Sequence, residues 1–200
     1  MIQAIRAGLF HRTKHLMCAP LLRIKTVRRF ARREDGSAAV EFGIVALPFF
    51  ALMFAIIETA MVFFAGQTLE AAVADSARLI MTGQAQAGSF SQSDFKNSVC
   101  AKIYGMFDCT NGLQIDVKTY SSFSSISNTP PIDAQGNLQT SSFGYSPGNA
   151  CDIVVVRLMY QWPVYVSLLG LNKLSNLSGN QRLLLATAAF RNEPFSSGSC

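Results

Sequence analysis

The cysteines are the residues whose type and spacing most directly suggest chemistry. Cys18 lies in a basic N-terminal stretch, and the other four lie far beyond it, at Cys100, Cys109, Cys151 and Cys200. An even number of cysteines in an oxidising compartment predicts two disulfides, for which three pairings are possible. We favour Cys100 with Cys109 and Cys151 with Cys200, because the first pair closes a short loop and the second tethers the terminus.

Catalytic and metal-binding constellations are not found in the sequence. The histidines are His11 and His15, both in the N-terminal stretch, which removes Ser-His-Asp and Cys-His catalysis and histidine-based metal sites from the rest of the chain. No CxxC, P-loop or GxGxxG motif is present. The sequence spacing does not predict that any two of the aspartates form a catalytic pair for acid–base chemistry. These aspartates are Asp94, Asp108, Asp116, Asp133 and Asp152. We therefore expect no catalytic residue, metal or cofactor, and no enzyme.

A glycine followed five residues later by a carboxylate separates the basic stretch from an apolar one, in the run GSAAVEF at residues 36–42. This run resembles the processing site of type IV prepilin-like proteins, whose leader is cut after the glycine on the cytoplasmic face. The resemblance implies Gly36 as the last leader residue, Ser37 as the mature terminus and Glu41 as the carboxylate used in processing and packing. A carboxylate at the centre of a membrane helix costs about 2.5 to 3.5 kcal/mol, so the freed ammonium of Ser37 or of a neighbouring subunit would be a favourable partner. The alternative is that Glu41 simply lies among the lipid headgroups.

An apolar segment follows and is long enough to span a membrane. Residues 42–57 contain no charge, and Glu41 and Glu58 flank them 17 residues apart, or roughly 25 Å along a helix, against a hydrocarbon thickness of about 30 Å. We expect the two carboxylates near opposite interfaces. The first 33 residues contain nine Lys or Arg and no acid, which predicts a cytoplasmic N-terminus. The positive net charge of +5 therefore comes from a topological signal and does not indicate a nucleic-acid site. Pro48 inside the segment predicts a tolerated bend.

The remaining sequence predicts a small exported domain. Helical spacing continues from Gln67 to Met81 and stops at Gly83, and a second helix is predicted from Ser93 to about Tyr104, capped by Ser91 or Ser93.

Three strands follow in the sequence. Apolar and polar side chains alternate over residues 113–117, which predicts a strand with one face in water. A buried strand is predicted at Asp152–Trp162, continuing past Pro163 to Val166, and a third strand at Gln181–Arg191. Residues 121–150 are predicted to form a long loop. The fold class is therefore α+β, with a long membrane helix that continues as an amphipathic helix packed on an antiparallel sheet of about three strands. The predicted divisions are a leader at 1–36, a transmembrane helix at 37–66 and an exported domain at 67–200.

A family resemblance rests on the residues from Gly36 to Phe42, on Glu58, and on the Ala-rich helix from Gln67 to Met81. Together these resemble the TadE-like family of tight-adherence (Tad, or Flp) pilus assembly proteins, as do the later runs FKNSVCAKIYGMFDC, VVVRLMYQWPVY and LLLATAAFRNEPF. The resemblance implies a minor pseudopilin of the bacterial inner membrane with a periplasmic domain. It also implies that a prepilin peptidase cuts the chain after Gly36, that the partners are other Tad pilus components and pseudopilins, and that the role is assembly of adhesive pili.

A second hypothesis is a membrane-anchored binding module that no prepilin peptidase processes. It would use the Ser- and aromatic-rich stretch from Tyr120 to Tyr145, in which Phe123, Phe143 and Tyr145 are the candidates for contact with a surface or ligand. Isolated aromatic side chains in a loop are also typical of core contacts that hold the loop in place.

Overall fold

The computed structural model describes residues 36–103, 105–127, 129–165, 175–195 and 200. The predicted leader, with its histidines and Cys18, lies outside them. The chain forms two compact units, Met1–Phe49 and Phe50–Cys200. In the first, the described residues form the beginning of a helix. In the second they form the rest of that helix, three short helices, a 3₁₀ turn and a three-stranded sheet.

Helix α1 spans Ser37–Met81 and continues through Pro48. Its end is set at Gly83, where the main chain adopts a left-handed conformation with φ of 77°. A Cβ atom at this position would lie 2.3 Å from Cγ of Phe195. Glycine is therefore needed at this position for two reasons, because it tolerates positive φ and because it leaves room for the Phe195 ring. The predicted stop at Gly83 is confirmed.

The short helices are α2 at Gln84–Ala87, α3 at Gln92–Cys100 and α4 at Cys109–Gly112. Ser91 caps α3 in a reciprocal pair of hydrogen bonds with Asp94, the arrangement known as a capping box. The cap prediction is thus confirmed for Ser91. The helix ends earlier than predicted, at Cys100, where a disulfide to Cys109 joins it to α4.

The sheet consists of β1 at Leu113–Tyr120, β2 at Ile153–Pro163 and β3 at Gln181–Arg191, in the order β1-β2-β3 with both pairings antiparallel. The predicted α+β class with three antiparallel strands is confirmed. Strand β2 ends at Pro163 rather than continuing, and Val166 lies outside the described residues. Beyond the strand, the Val164 N–H donates to the Asn180 carbonyl at 3.0 Å, which holds the end of β2 beside the start of β3.

One face of the sheet packs on the C-terminal half of α1 and on α3. The apolar side chains of α1 that enter this core recur at intervals of three or four residues, the period of one helix face: Val62, Ala65, Leu69, Ala72, Val73, Ala77 and Ile80. Strand β2 contributes every second residue from Val154 to Trp162, as a pleated strand requires. After β3, the Glu193 N–H donates to the Met81 carbonyl at 2.9 Å, so the end of β3 lies beside the end of α1.

The opposite face of the sheet is covered by residues from the predicted loop at 121–150. A second apolar cluster forms there from buried residues of β2, β3 and the segment before β3, with three loop side chains against it: Met159, Leu183, Leu177, Ile132, Leu138 and Phe143. Asp116 was expected on a water-exposed face, and this expectation is wrong. It is 3% exposed, and it accepts a hydrogen bond from the Gly144 N–H at 3.0 Å and faces the Lys118 ammonium at 3.0 Å.

Candidate functional site

The start of α1 brings together the predicted processing residues. Helix α1 begins at Ser37, directly after Gly36. The Ser37 hydroxyl donates to Glu41 Oε1 at 2.9 Å, because residues four apart lie on the same helix face. A Cβ atom at Gly36 would meet no described atom within 4 Å, and its φ is not positive. Among the described residues, neither contacts nor backbone conformation therefore requires glycine there.

Large apolar side chains cover the surface of α1 from its first turns onward. The fractional exposures include 71% for Phe42, 75% for Leu47, 69% for Phe63 and 61% for Phe64. Among the described residues, α1 is long and apolar enough to cross a membrane, and very little of its most apolar part is buried. A buried core helix of a water-soluble protein would show the opposite pattern, whereas lipid is a suitable environment for such a surface. The helix therefore indicates single-pass membrane anchoring.

Glu58, the second predicted interfacial carboxylate, faces the domain that contains the sheet. It is 8% exposed, and its Oε1 accepts a hydrogen bond from the main-chain N–H of Tyr165, just beyond the end of β2. Sequence analysis did not find Tyr165. The sequence did carry a signal for the burial of Glu58, because Glu58 lies three residues after Ala55 and four before Val62, on the face that packs against the domain.

Both disulfides occur in the pairing favoured from the sequence, Cys100 with Cys109 and Cys151 with Cys200. The Cα atoms are 5.7 and 5.5 Å apart, within the usual range for a disulfide. The first disulfide joins α3 to α4, and the second joins the segment before β2 to the last described residue. Their positions indicate a structural role.

The aspartates considered for acid–base chemistry each accept hydrogen bonds that stabilise a nearby turn or helix end. Hydrogen bonds from the hydroxyl and N–H of Ser91 lower the pKa of Asp94. The pKa of Asp133 is lowered mainly by a hydrogen bond from the Asn137 N–H, with Gln139 contributing through its side chain. Asp108 caps α4, and Asp152 accepts from the Asn149 N–H at 2.7 Å.

No ligand or metal site emerges from these arrangements. Within the described ranges, no group of three or more His, Cys, Asp or Glu side chains could hold a metal ion. A groove of about 360 Å³ lies between α1 and β3, next to Phe63 and Leu184. Glu70 and Arg182 are the charged residues of its lining, which offers no set of converging polar groups such as ligand pockets usually have.

The aromatic side chains of the predicted binding stretch divide into two groups. Phe143 packs in the second apolar cluster, and Tyr145 packs against the main core, 5.6 Å from Phe95 between ring centroids. Phe123 is 53% exposed. Two of the three candidates thus hold the loop on the domain rather than project from it.

The comparison with known proteins finds a match in the sequence of α1. Residues 36–78 match the family model of TadE-like proteins. No curated protein and no solved structure matches the chain. The TadE match confirms the predicted resemblance over a segment that begins at Gly36 and contains Ser37, Glu41 and Glu58. It indicates a component associated with the Tad pilus, and the three-stranded sheet lies outside the matched residues.

Proposed function

We propose that the protein is a minor pseudopilin that supports assembly of tight-adherence Flp pili. In this proposal α1 spans the bacterial inner membrane, with the N-terminus in the cytoplasm and the α+β domain in the periplasm. A prepilin peptidase removes the leader after Gly36, and the mature chain contacts other Tad pilus components and pseudopilins. The role is structural rather than enzymatic, and it involves neither a cofactor nor nucleic acid.

The arrangement of Ser37 and Glu41 at the start of an apolar helix supports this proposal most directly. Cleavage after Gly36 would create an ammonium group at Ser37, one helical turn from the Glu41 carboxylate. The pair could form within one chain, or between neighbouring chains whose apolar helices pack side by side. An ion pair of this kind offsets the cost of holding a carboxylate beside the hydrocarbon layer.

Cleavage is tested by comparing Gly36→Leu with Gly43→Leu. Neither glycine has a described atom within 4 Å of a Cβ position, so both variants can fold and insert. We expect mass spectrometry of the amino terminus to find Ser37 in the wild type and in Gly43→Leu, but an intact leader in Gly36→Leu. A wild-type chain that retains its leader in cells with an active prepilin peptidase would contradict the proposal.

The assembly role is tested by deleting the protein and imaging surface fibres. We expect fibres to be lost and to be restored by the wild-type chain. Glu41→Ala should fail to restore them, although the variant is still inserted in the membrane. Under the hypothesis of an unprocessed binding module, fibres would persist after deletion and Glu41→Ala would act like the wild type.

A further inference from the structure

We propose that the end of β2 carries a membrane contact, in which the phenol ring of Tyr165 enters the outer part of the hydrocarbon layer of the lipid bilayer on the domain's side. The inference rests on the membrane anchoring by α1 in the proposed function, and it is independent of leader cleavage and of pilus assembly. Three observations support it: a change of polarity along α1, the position of Glu58, and the exposure of Tyr165.

The change of polarity along α1 marks where the helix leaves the hydrocarbon layer. Its last large exposed apolar side chains are Phe63 and Phe64. The exposed side chains that follow include Gln67, Glu70 and Asp75. Because lipid disfavours such polar groups, the boundary between lipid and water on this side lies near Gly66.

Glu58 lies on the lipid side of this boundary, eight residues before Gly66, or about 12 Å along the helix axis. Its carboxylate is buried and accepts the Tyr165 N–H. A hydrogen-bonded, sheltered carboxylate is the form in which this group is tolerated at such a depth. The hydrogen bond also brings the main chain of the domain down to the apolar part of α1.

Tyr165 projects from this point into its surroundings. Its side chain is 80% exposed, whereas the preceding Val164 is buried. Val164 is held by Asn180 through two hydrogen bonds, one to its N–H and one to its carbonyl. The ring therefore extends from a fixed strand end at the level of the apolar helix surface. Tyrosine, with an apolar ring and a polar hydroxyl, is enriched at such interfaces.

A lipid surface is a better partner for this ring than a folded protein, because the hydrogen bond to Glu58 places Tyr165 beside the apolar part of α1. Ile56, Ala60 and Phe63 line a shallow apolar concavity on that part of α1. A partner protein would have to displace lipid from this surface before it reached Tyr165.

The experiment measures fluorescence quenching of the full chain in bilayer vesicles. Tyr165→Trp and Phe123→Trp each replace an exposed aromatic side chain, and both retain Trp162 as a shared background. We expect lipids brominated on the upper part of their acyl chains to quench Tyr165→Trp several-fold more strongly than Phe123→Trp, and aqueous iodide to show the reverse order. Equal quenching of the two variants by both agents would overturn the inference.

Glu58→Ala in the Tyr165→Trp background tests the role of the carboxylate. Loss of the hydrogen bond should reduce quenching by brominated lipid and increase quenching by iodide. Unchanged quenching would contradict the assignment of Glu58 as the residue that positions Tyr165. Vesicle flotation of each variant separately reports α1 insertion, so a failure of membrane anchoring is distinguished from a failure of the Tyr165 contact.

Discussion

At the scale of single residues, Tyr145 is an unusual member of the core. Its hydroxyl is buried and has no hydrogen-bond partner among the residues that the structure describes, although its ring packs against Phe95. Burial, with a smaller contribution from the charge on Asp94, raises the pKa of Tyr145 to about 12 from the ordinary value of 10.0. The hydroxyl therefore adds little favourable contact, and its burial disfavours its ionisation in the folded state.

Tyr145→Phe is expected to leave the free energy of unfolding unchanged or to raise it by up to about 1 kcal/mol at pH 8, because an unsatisfied buried hydroxyl is removed. A folded-state pKa above the unfolded one favours folding below pH 10, and this contribution is lost as the pH rises from 10 towards 12. Urea unfolding of the full chain in mild detergent checks both points. Between pH 10 and 12 the wild type should lose more stability than Tyr145→Phe, and equal losses would show that Tyr145 does not titrate as described.

At the scale of secondary-structure elements, the end of α1 depends on the space above Gly83. Gly83→Ala forces a Cβ into positive φ, at a cost of about 1 to 2 kcal/mol. It also requires the Phe195 ring to move, since the new Cβ atom would lie 2.3 Å from Cγ of Phe195. Gly179→Ala is the matched control, because Gly179 has a φ of +73° but no described atom within 4 Å of its Cβ position.

We expect Gly83→Ala to lower the free energy of unfolding more than Gly179→Ala does. Urea unfolding followed by the fluorescence of Trp162, the single tryptophan, measures the difference. Equal effects in the two variants would mean that the Phe195 contact contributes nothing beyond backbone strain.

Much of the element pattern follows from local sequence. Period-two alternation predicted β1, and the bounds of β3 were predicted at Gln181–Arg191 as observed. Asp116 was misplaced because its burial depends on Gly144, a loop residue 28 positions away, and no local pattern encodes that contact. The hydrogen bond between Glu58 and Tyr165 spans 107 positions, so the carboxylate could be recognised in the sequence but its partner could not.

At the scale of the whole molecule, the disulfides restrain very different lengths of chain. They span 9 residues for Cys100–Cys109 and 49 residues for Cys151–Cys200. Loop-closure entropy predicts that removing them costs about 2.5 and about 4 kcal/mol respectively. Alanine at both positions of each pair, followed by urea unfolding of the two double variants, checks this order. A larger loss from the shorter loop would show that local contacts between α3 and α4 dominate.

The closeness of Met81 and Glu193 has a consequence for biosynthesis. Helix α1 leaves the ribosome early, yet the strand that runs to its far end is made about a hundred residues later, which takes roughly 5 to 20 s at ordinary translation rates. Until β3 is made, Leu69 and Ile80, which are fully buried in the finished protein, lack the complete sheet that packs on them. The newly made chain is therefore most prone to aggregate, or to need a chaperone, in the seconds before β3 is complete.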